Sequence, residues 1–314
     1  MCTAISEKGR YHLFGRTLDL ELSYSESICV TPRGFAFDFL YEGRVDWHSA
    51  IIGIAHLSDG IPLYYDGMNE HGLCVAALNF PGNAIYNKPK EGCVNIASFE
   101  FIPYVISVCR NVSEVSSLIL RMNITNDNFS EGLPSTPLHF IISDKNKSIV
   151  VEPFAGGLCE FDNPYGVLTN NPSFLYHTTN LSNYMGLKST PPENYLCPSV
   201  PLPGYSRGMG AIGLPGDYSS ASRFVRATFA KNHTSHEEDE RGEVNRFFHI
   251  MDTVSVPRGC VKTDEGKDVF TVYTSCGCTD TGRYYYTTYD DRTVRSLGFE
   301  DAILDGDKLN SKII

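Results

Sequence analysis

The sequence predicts an α+β fold in which antiparallel sheets are covered by helices, and three observations predict it. Short apolar runs bounded by turn signals fill the first 80 residues. Two pairs of segments, within residues 97–123 and 221–255, instead place apolar residues three and four apart, the period of a helix. Strand-like runs return after each pair, so blocks of strands and helices stack as layers around one core.

Taken in order, the first strands are CTAIS, HLFGRTLDL, SICVTPRG, AIIGIAHL, PLYYDGMN and GLCVAALNF, with turns at His71-Gly72 and Pro81-Gly82-Asn83. ASFEFIPYVISVCR and VSEVSSLILRMN follow as two helices, the second starting at Ser113 before Glu114. PLHFIISD, SIVVEPF and YGVLTN read as strands, after which Asn171-Pro172 offers an N-cap with Pro at the first helical position. Residues 185–218 are rich in Pro and Gly without sustained periodicity and read as a long irregular excursion, of the kind that serves function or assembly. ASRFVRATFAKN and VNRFFHIMDTVS are helical, and the aromatic strands DVFTVYTSC and GRYYYTTYD close the chain.

With 314 residues, 42% hydrophobic and 20% charged, the chain buries a sizeable core, read as one large domain. A net charge of −11 without any long basic run argues against a nucleic-acid partner. The opening residues lack a basic then apolar leader, and no run reaches the roughly 18 apolar residues of a membrane span, so the expected location is cytoplasmic. The ten cysteines then read as reduced thiols. Cys276 and Cys278, in SCGC, supply at most two ligands of a tetrahedral zinc site, so no metal is expected.

Cys2 follows the initiator methionine directly. Removal of Met1 would give it a free α-amine, of ordinary pKa about 7.7–8, within reach of its own thiol as an internal base. A neighbouring cation would increase the thiolate fraction. If CTAIS and HLFGRTLDL form a hairpin, Arg16 and Asp19 lie on the second strand, the arginine available to the thiol and the carboxylate to the amine.

The segments MCT, FGRTLDL, GLCVAALNFPGNA, GVLTNNPSF, GLPGD and SSASRFVRATF, in that order, resemble the choloylglycine hydrolases, the N-terminal-nucleophile amidases that include bile salt hydrolases and penicillin V acylases. The resemblance runs from residue 2 to the last strands. It implies a four-layer αββα sandwich as a single domain over 2–314, acting without cofactor as a homo-oligomer, commonly a tetramer, with the 185–218 excursion used in assembly and substrate selection. Through these motifs Cys2 corresponds to the nucleophile, Arg16 and Asp19 to its neighbours, Asn79 and Asn170 to the oxyanion-hole asparagines, and Arg223 to the arginine completing the thiol's polar surroundings. Many penicillin V acylases carry tyrosine where Asn79 stands, which favours bile salts as substrate and leaves penicillin V as the alternative. Alignment to the family points to Leu20, Ile61 and Leu133 for an apolar groove. It points to Ser206 and Arg207 for a taurine-preferring amino-acid end, where a sulfonate would find a charge partner. A thiol- or metal-binding protein built on SCGC, and an interaction scaffold built on the excursion, are the readings from other classes.

Overall fold

Two large antiparallel sheets lie face to face in the computed structural model, which describes residues 1–314. The first runs in the order Val167–Leu168, Cys2–Lys8, His12–Leu20, Asp268–Cys278, Arg283–Thr288 and Arg295–Gly298, with Val261–Lys262 added beside Asp268–Cys278. The second runs Gly157–Asp162, Ser148–Phe154, Leu138–Ser143, Cys74–Asn79, Ile61–Asn69, Ile51–Ser58, Ser27–Thr31 and Asn310–Ile313.

Side chains alternate across a strand, and that alternation sorts the second sheet into two faces. Cys74, Ala76, Leu78, Ile141 and Val150 enter one buried cluster together with Ala4, Phe14 and Leu18 of the first sheet. Val75, Ala77, Phe140, Ile142 and Val151 enter another, beneath the helices Phe101–Val108 and Val112–Ile119. Helices Ser220–His233 and Glu240–Asp252 cover the first sheet through Phe224, Val244 and Phe247. The result is helix, sheet, sheet, helix, the expected four layers. Burying each such Phe or Leu contributes about 1.5–3 kcal/mol, so both sheets are pinned on two sides.

Burial on both faces explains why the strand Cys2–Lys8 is buried along its length except at Lys8. Its hairpin with His12–Leu20 sets Cys2 opposite Leu18 and Ala4 opposite Arg16. Gly15 lets the next strand approach: a Cβ there would sit 1.9 Å from the Ser275 carbonyl oxygen.

Several boundaries differ from the sequence expectations. The helix Val112–Ile119 is capped by Asn111, whose side chain accepts the Glu114 N–H at 3.0 Å, in place of Ser113. It ends early because Met122–Thr125 pairs as a strand with Val94–Ala97 and buries Met122 and Ile124. Ser219 caps the helix Ser220–His233, and Ser173, not Asn171, precedes the helix Phe174–Asn180. The expected strand YGVLTN shrinks to Val167–Leu168. Between Met185 and Asp217 the only helical turn is Met209–Ala211.

Candidate active site

Cys2 lies at the inner edge of the first sheet, 2% exposed, with its thiol facing the space between the sheets. The hairpin register brings Arg16 onto the same face. Its Nη2 donates to Cys2 Sγ at 2.5 Å, its Nη1 to the carbonyls of Tyr65, at 3.1 Å, and Ala77, and its Nε to the Thr17 carbonyl at 3.2 Å. No carboxylate pairs with this buried guanidinium. Burial acts against its charge, but the negative potentials of Cys2, Tyr273, Asp66 and Asp19 outweigh it and raise the pKa. The sulfur is therefore the one potentially anionic atom in direct contact with a cation that has been taken out of water.

Arg223, wholly buried, approaches from the helix Ser220–His233. Its guanidinium donates to the Cys2 carbonyl, to Thr3 Oγ1 at 2.7 Å and to Asn170 Oδ1 at 2.8 Å. Burial lowers its pKa against the pull of Asp19 and Cys2. Asn170 is the junction of the site: Oδ1 also accepts the Cys2 N–H at 2.8 Å, and Nδ2 donates to the Asn79 carbonyl at 2.8 Å. The Asn79 side-chain amide makes no hydrogen bond and lines the cavity above the thiol. Asp19 is fully buried, but its carboxylate accepts from Thr271, at 2.7 Å, and Thr17, at 3.2 Å. With Met1 in place, the terminal nitrogen donates at 2.7 Å to the Asp19 carbonyl, not to its carboxylate.

The cavity encloses about 380 Å³ and has Cys2 and Arg16 at its base. Its walls are mostly apolar: Leu18, Leu20, Leu63, Phe99, Phe129 and Leu133 among them, with Glu21 and His56 as ionisable members. Leu20 and Leu133 both line this cavity. Ile61 does not: it starts its strand opposite Ser58, 44% exposed, and Leu63, two residues on with the same side-chain parity, takes the wall position. Ser206 and Arg207 are exposed in the excursion and do not line the cavity. Cys276 and Cys278 are buried on the first sheet, no group of three or more His, Cys, Asp or Glu is arranged to hold a metal, and all ten cysteines are free.

Sequence reasoning missed the support beneath Arg16. Asp66, fully buried on the second sheet, accepts from Tyr273, Tyr284 and Ser275, the last at 2.7 Å, and Ser275 in turn accepts the Arg16 N–H at 3.1 Å. Burial raises the Asp66 pKa, with Arg16 the chief opposing influence. These residues come from distant strands that meet only in the fold, so no local spacing could flag them. His139 and Ser220, which bond the main chain at Thr169 and Asn170 from 30 and 50 residues away, were missed for the same reason, and His177, seven residues after Asn170, carries no spacing signal of its own.

Comparison with known proteins gives concordant results. The family model described as linear amide C–N hydrolases, choloylglycine hydrolase family, matches residues 2–312. A bile salt hydrolase/transferase of Lactiplantibacillus plantarum is 46% identical over 311 residues, covering 99% of this chain and 96% of the relative. A crystal structure of a mutant conjugated bile acid hydrolase from Clostridium perfringens superposes with a TM-score of 0.91 at 35% identity, covering 99% of this chain and 96% of that one. The penicillin V acylase of Agrobacterium tumefaciens shares the fold, with a TM-score of 0.78 at 20% identity, 99% of this chain and 90% of that one. No helix is long and apolar enough to cross a membrane.

Proposed function

The chain belongs to the choloylglycine hydrolase family of linear amide C–N hydrolases, and we propose that it cleaves the amide of glycine- or taurine-conjugated bile acids with Cys2 as nucleophile. The observation that carries this reading is a thiol bonded to an unpaired, buried arginine at the base of an apolar cavity.

Removal of Met1 frees the Cys2 α-amine, which takes the thiol proton. The thiolate then attacks the substrate carbonyl carbon, and the oxyanion receives hydrogen bonds from the side-chain amides of Asn79 and Asn170. The α-ammonium protonates the departing glycine or taurine nitrogen, leaving a thioester on Cys2. The amine next deprotonates water, hydroxide attacks the thioester, the bile acid leaves, and the thiol is restored. An amine attacking the same thioester would form a new amide, in keeping with the hydrolase/transferase name of the L. plantarum relative. Arg16 and Arg223 act as fixed positive charge around the sulfur. Asp19 holds its strand, through Thr17 and Thr271, beside the new terminus.

Leu20 and Leu133 are the candidate steroid contacts, with Leu63 in place of Ile61. Ser206 and Arg207 read the amino-acid end only if the excursion reaches a cavity mouth, which suits an assembly in which it docks on a second copy. Tyr195, Leu196, Leu202 and Tyr205, all exposed there, supply apolar surface for a homotetramer. One domain over 2–314, working in the cytoplasm without metal or cofactor, completes the reading.

Rates of amine release from taurocholate, glycocholate and penicillin V, together with intact mass, test it. Expected are loss of Met1, and bile salts cleaved faster than penicillin V with taurocholate ahead of glycocholate. A faster reaction on penicillin V would transfer the assignment to the acylases.

A further inference from the structure

The strand that leads to Asn170 stops early. Val167 and Leu168 pair with Ile5 and Ala4, and from Thr169 onward the main chain bonds to side chains. His139 Nε2 donates to the Thr169 carbonyl at 2.8 Å, and His177 Nε2 to the Asn170 carbonyl at 2.8 Å. The Asn170 N–H donates to Ser220 Oγ at 2.8 Å, and the Ser220 hydroxyl donates to Thr169 Oγ1 at 2.8 Å. Three separate elements therefore grip two consecutive residues: the strand Leu138–Ser143 and the helices Phe174–Asn180 and Ser220–His233.

Both imidazoles are fully buried, and each lies flat on a phenyl ring. His139 stacks on Phe80 with centroids 4.3 Å apart and His177 on Phe224 at 5.1 Å, the planes within 5° and 12°. A ring so stacked has little freedom to turn, which fixes the direction of its N–H. His177 carries its hydrogen on Nε2, its Nδ1 is left without a partner, and burial lowers its pKa and keeps it neutral. The other nitrogen of His139 meets Glu152 Oε1 at 3.1 Å, and that oxygen also accepts the Phe174 N–H at 2.9 Å, at the start of the helix bearing His177. Glu152 thus ties the support of one histidine to that of the other.

We propose that His177 and His139, braced by Ser220 and Glu152, are positioning residues that hold the Thr169–Asn170 main chain so that the Asn170 amide meets Cys2, Arg223 and Asn79 together. None of the four touches the reacting atoms. The three Asn170 side-chain bonds are each 2.8 Å and diverge in direction, which requires the backbone beneath them to be placed within about 0.5 Å. A ladder ending at Leu168 cannot supply that, and two rigid rings on successive carbonyls can. The rate prediction rests on the amidase reading above; the crystallographic one does not.

The test compares the wild type with His177→Leu, His177→Gln and Ser220→Ala, each checked for Tm, kcat and KM on taurocholate, and each crystallised. Misplacement at about 1 Å costs on the order of 100-fold, so His177→Leu is expected to lower kcat by about 10- to 100-fold with KM little changed. His177→Gln, whose amide N–H reaches toward the same carbonyl, recovers most of that loss, and Ser220→Ala shows a smaller one. The His177→Leu crystal should show Asn170 Oδ1 out of hydrogen-bond range of the Cys2 nitrogen or of Arg223. Wild-type kcat in His177→Leu, equal losses in the Leu and Gln variants, or an unmoved Asn170 overturns the proposal. If His177→Leu does not fold, unchanged kcat and an unmoved Asn170 in both remaining variants overturn it as well. A wild type inert toward every bile salt would sink the proposed function and leave the crystallographic comparison standing.

Discussion

The Cys2–Leu20 hairpin has two polar ends between the sheets, and they are built on opposite principles. At one end Ser6 Oγ, His12 Nε2 and Ser143 Oγ form a closed triangle of 2.6, 3.2 and 3.2 Å, and His12 Nδ1 meets Thr279 Oγ1 at 3.1 Å. Every member is neutral and partnered, so the cluster staples the sheets together. At the other end, Arg16 and Arg223 are buried without carboxylate partners, Arg16 on the Cys2 thiol at the base of a cavity and Arg223 on the Cys2 carbonyl. There the stapling bonds run from cations to carbonyls, and the negative charge that would complete them is left to the sulfur and the reaction. One strand pair thus carries a finished network for stability and an unfinished one for chemistry, and the unfinished one is where substrate can enter.

Removing the proposed nucleophile should break the contrast most severely. Cys2→Ala is expected to lower bile salt cleavage by at least about 10⁴-fold, the scale of losing a covalent nucleophile, with Tm within a few degrees of wild type. Residual activity close to wild type in a rate assay would end the account of the thiol.

Asn79 offers a finer probe, because its amide is open to the cavity and bonded to nothing. Asn79→Ala should reduce kcat by about 10²–10³-fold, the cost of one oxyanion donor, with little change in KM for taurocholate. A rise in KM at constant kcat would instead make Asn79 a ground-state contact.

The closed end should respond in stability and not in rate. Burial, aided by Lys8 and opposed by Asp144 and Asp280, lowers the His12 pKa to about 4. An unfolded histidine, with its pKa near 6.5, binds its proton first, so between those values the unfolded state holds more protons and stability rises with pH. His12 therefore contributes its full share above about pH 6.5 and loses it as pH falls toward 4, up to about 3 kcal/mol over the window. Denaturant titrations of His12→Gln across pH 4–7 should show a flatter profile, with kcat at pH 7 within about two-fold of wild type. An equally steep profile in the variant would place the acid sensitivity elsewhere.

Legibility in the sequence followed distance along the chain. Cys2 and Arg16 could be paired by inspection because a hairpin of adjacent strands fixes their register, and the structure has them bonded. Asn79, Asn170 and Arg223 were reached only through family resemblance, since an asparagine after an apolar strand looks like any turn former. Alignment to the family points to Ile61, but the cavity wall is taken by Leu63, two residues on, because alignment does not say where along a strand the cavity begins. Arg223 falls near the start of its helix, where a cation opposes the helix dipole, and its hydrogen bonds to the Cys2 carbonyl and Asn170 explain why it stands there.

Periodicity and turn chemistry by themselves determined the alternating blocks of strands and helices and the hairpin that brings Arg16 to Cys2, because these follow from contacts between near neighbours in the chain. Which buried charges lack a counterion, which carbonyls two histidines hold, and which apolar side chains wall the cavity were decided only when separate elements were brought within hydrogen-bonding reach, 30 residues apart for His139 and Thr169 and 168 for Cys2 and Asn170. Those properties belong to desolvation and to pairs distant in sequence, and neither is written in any single segment.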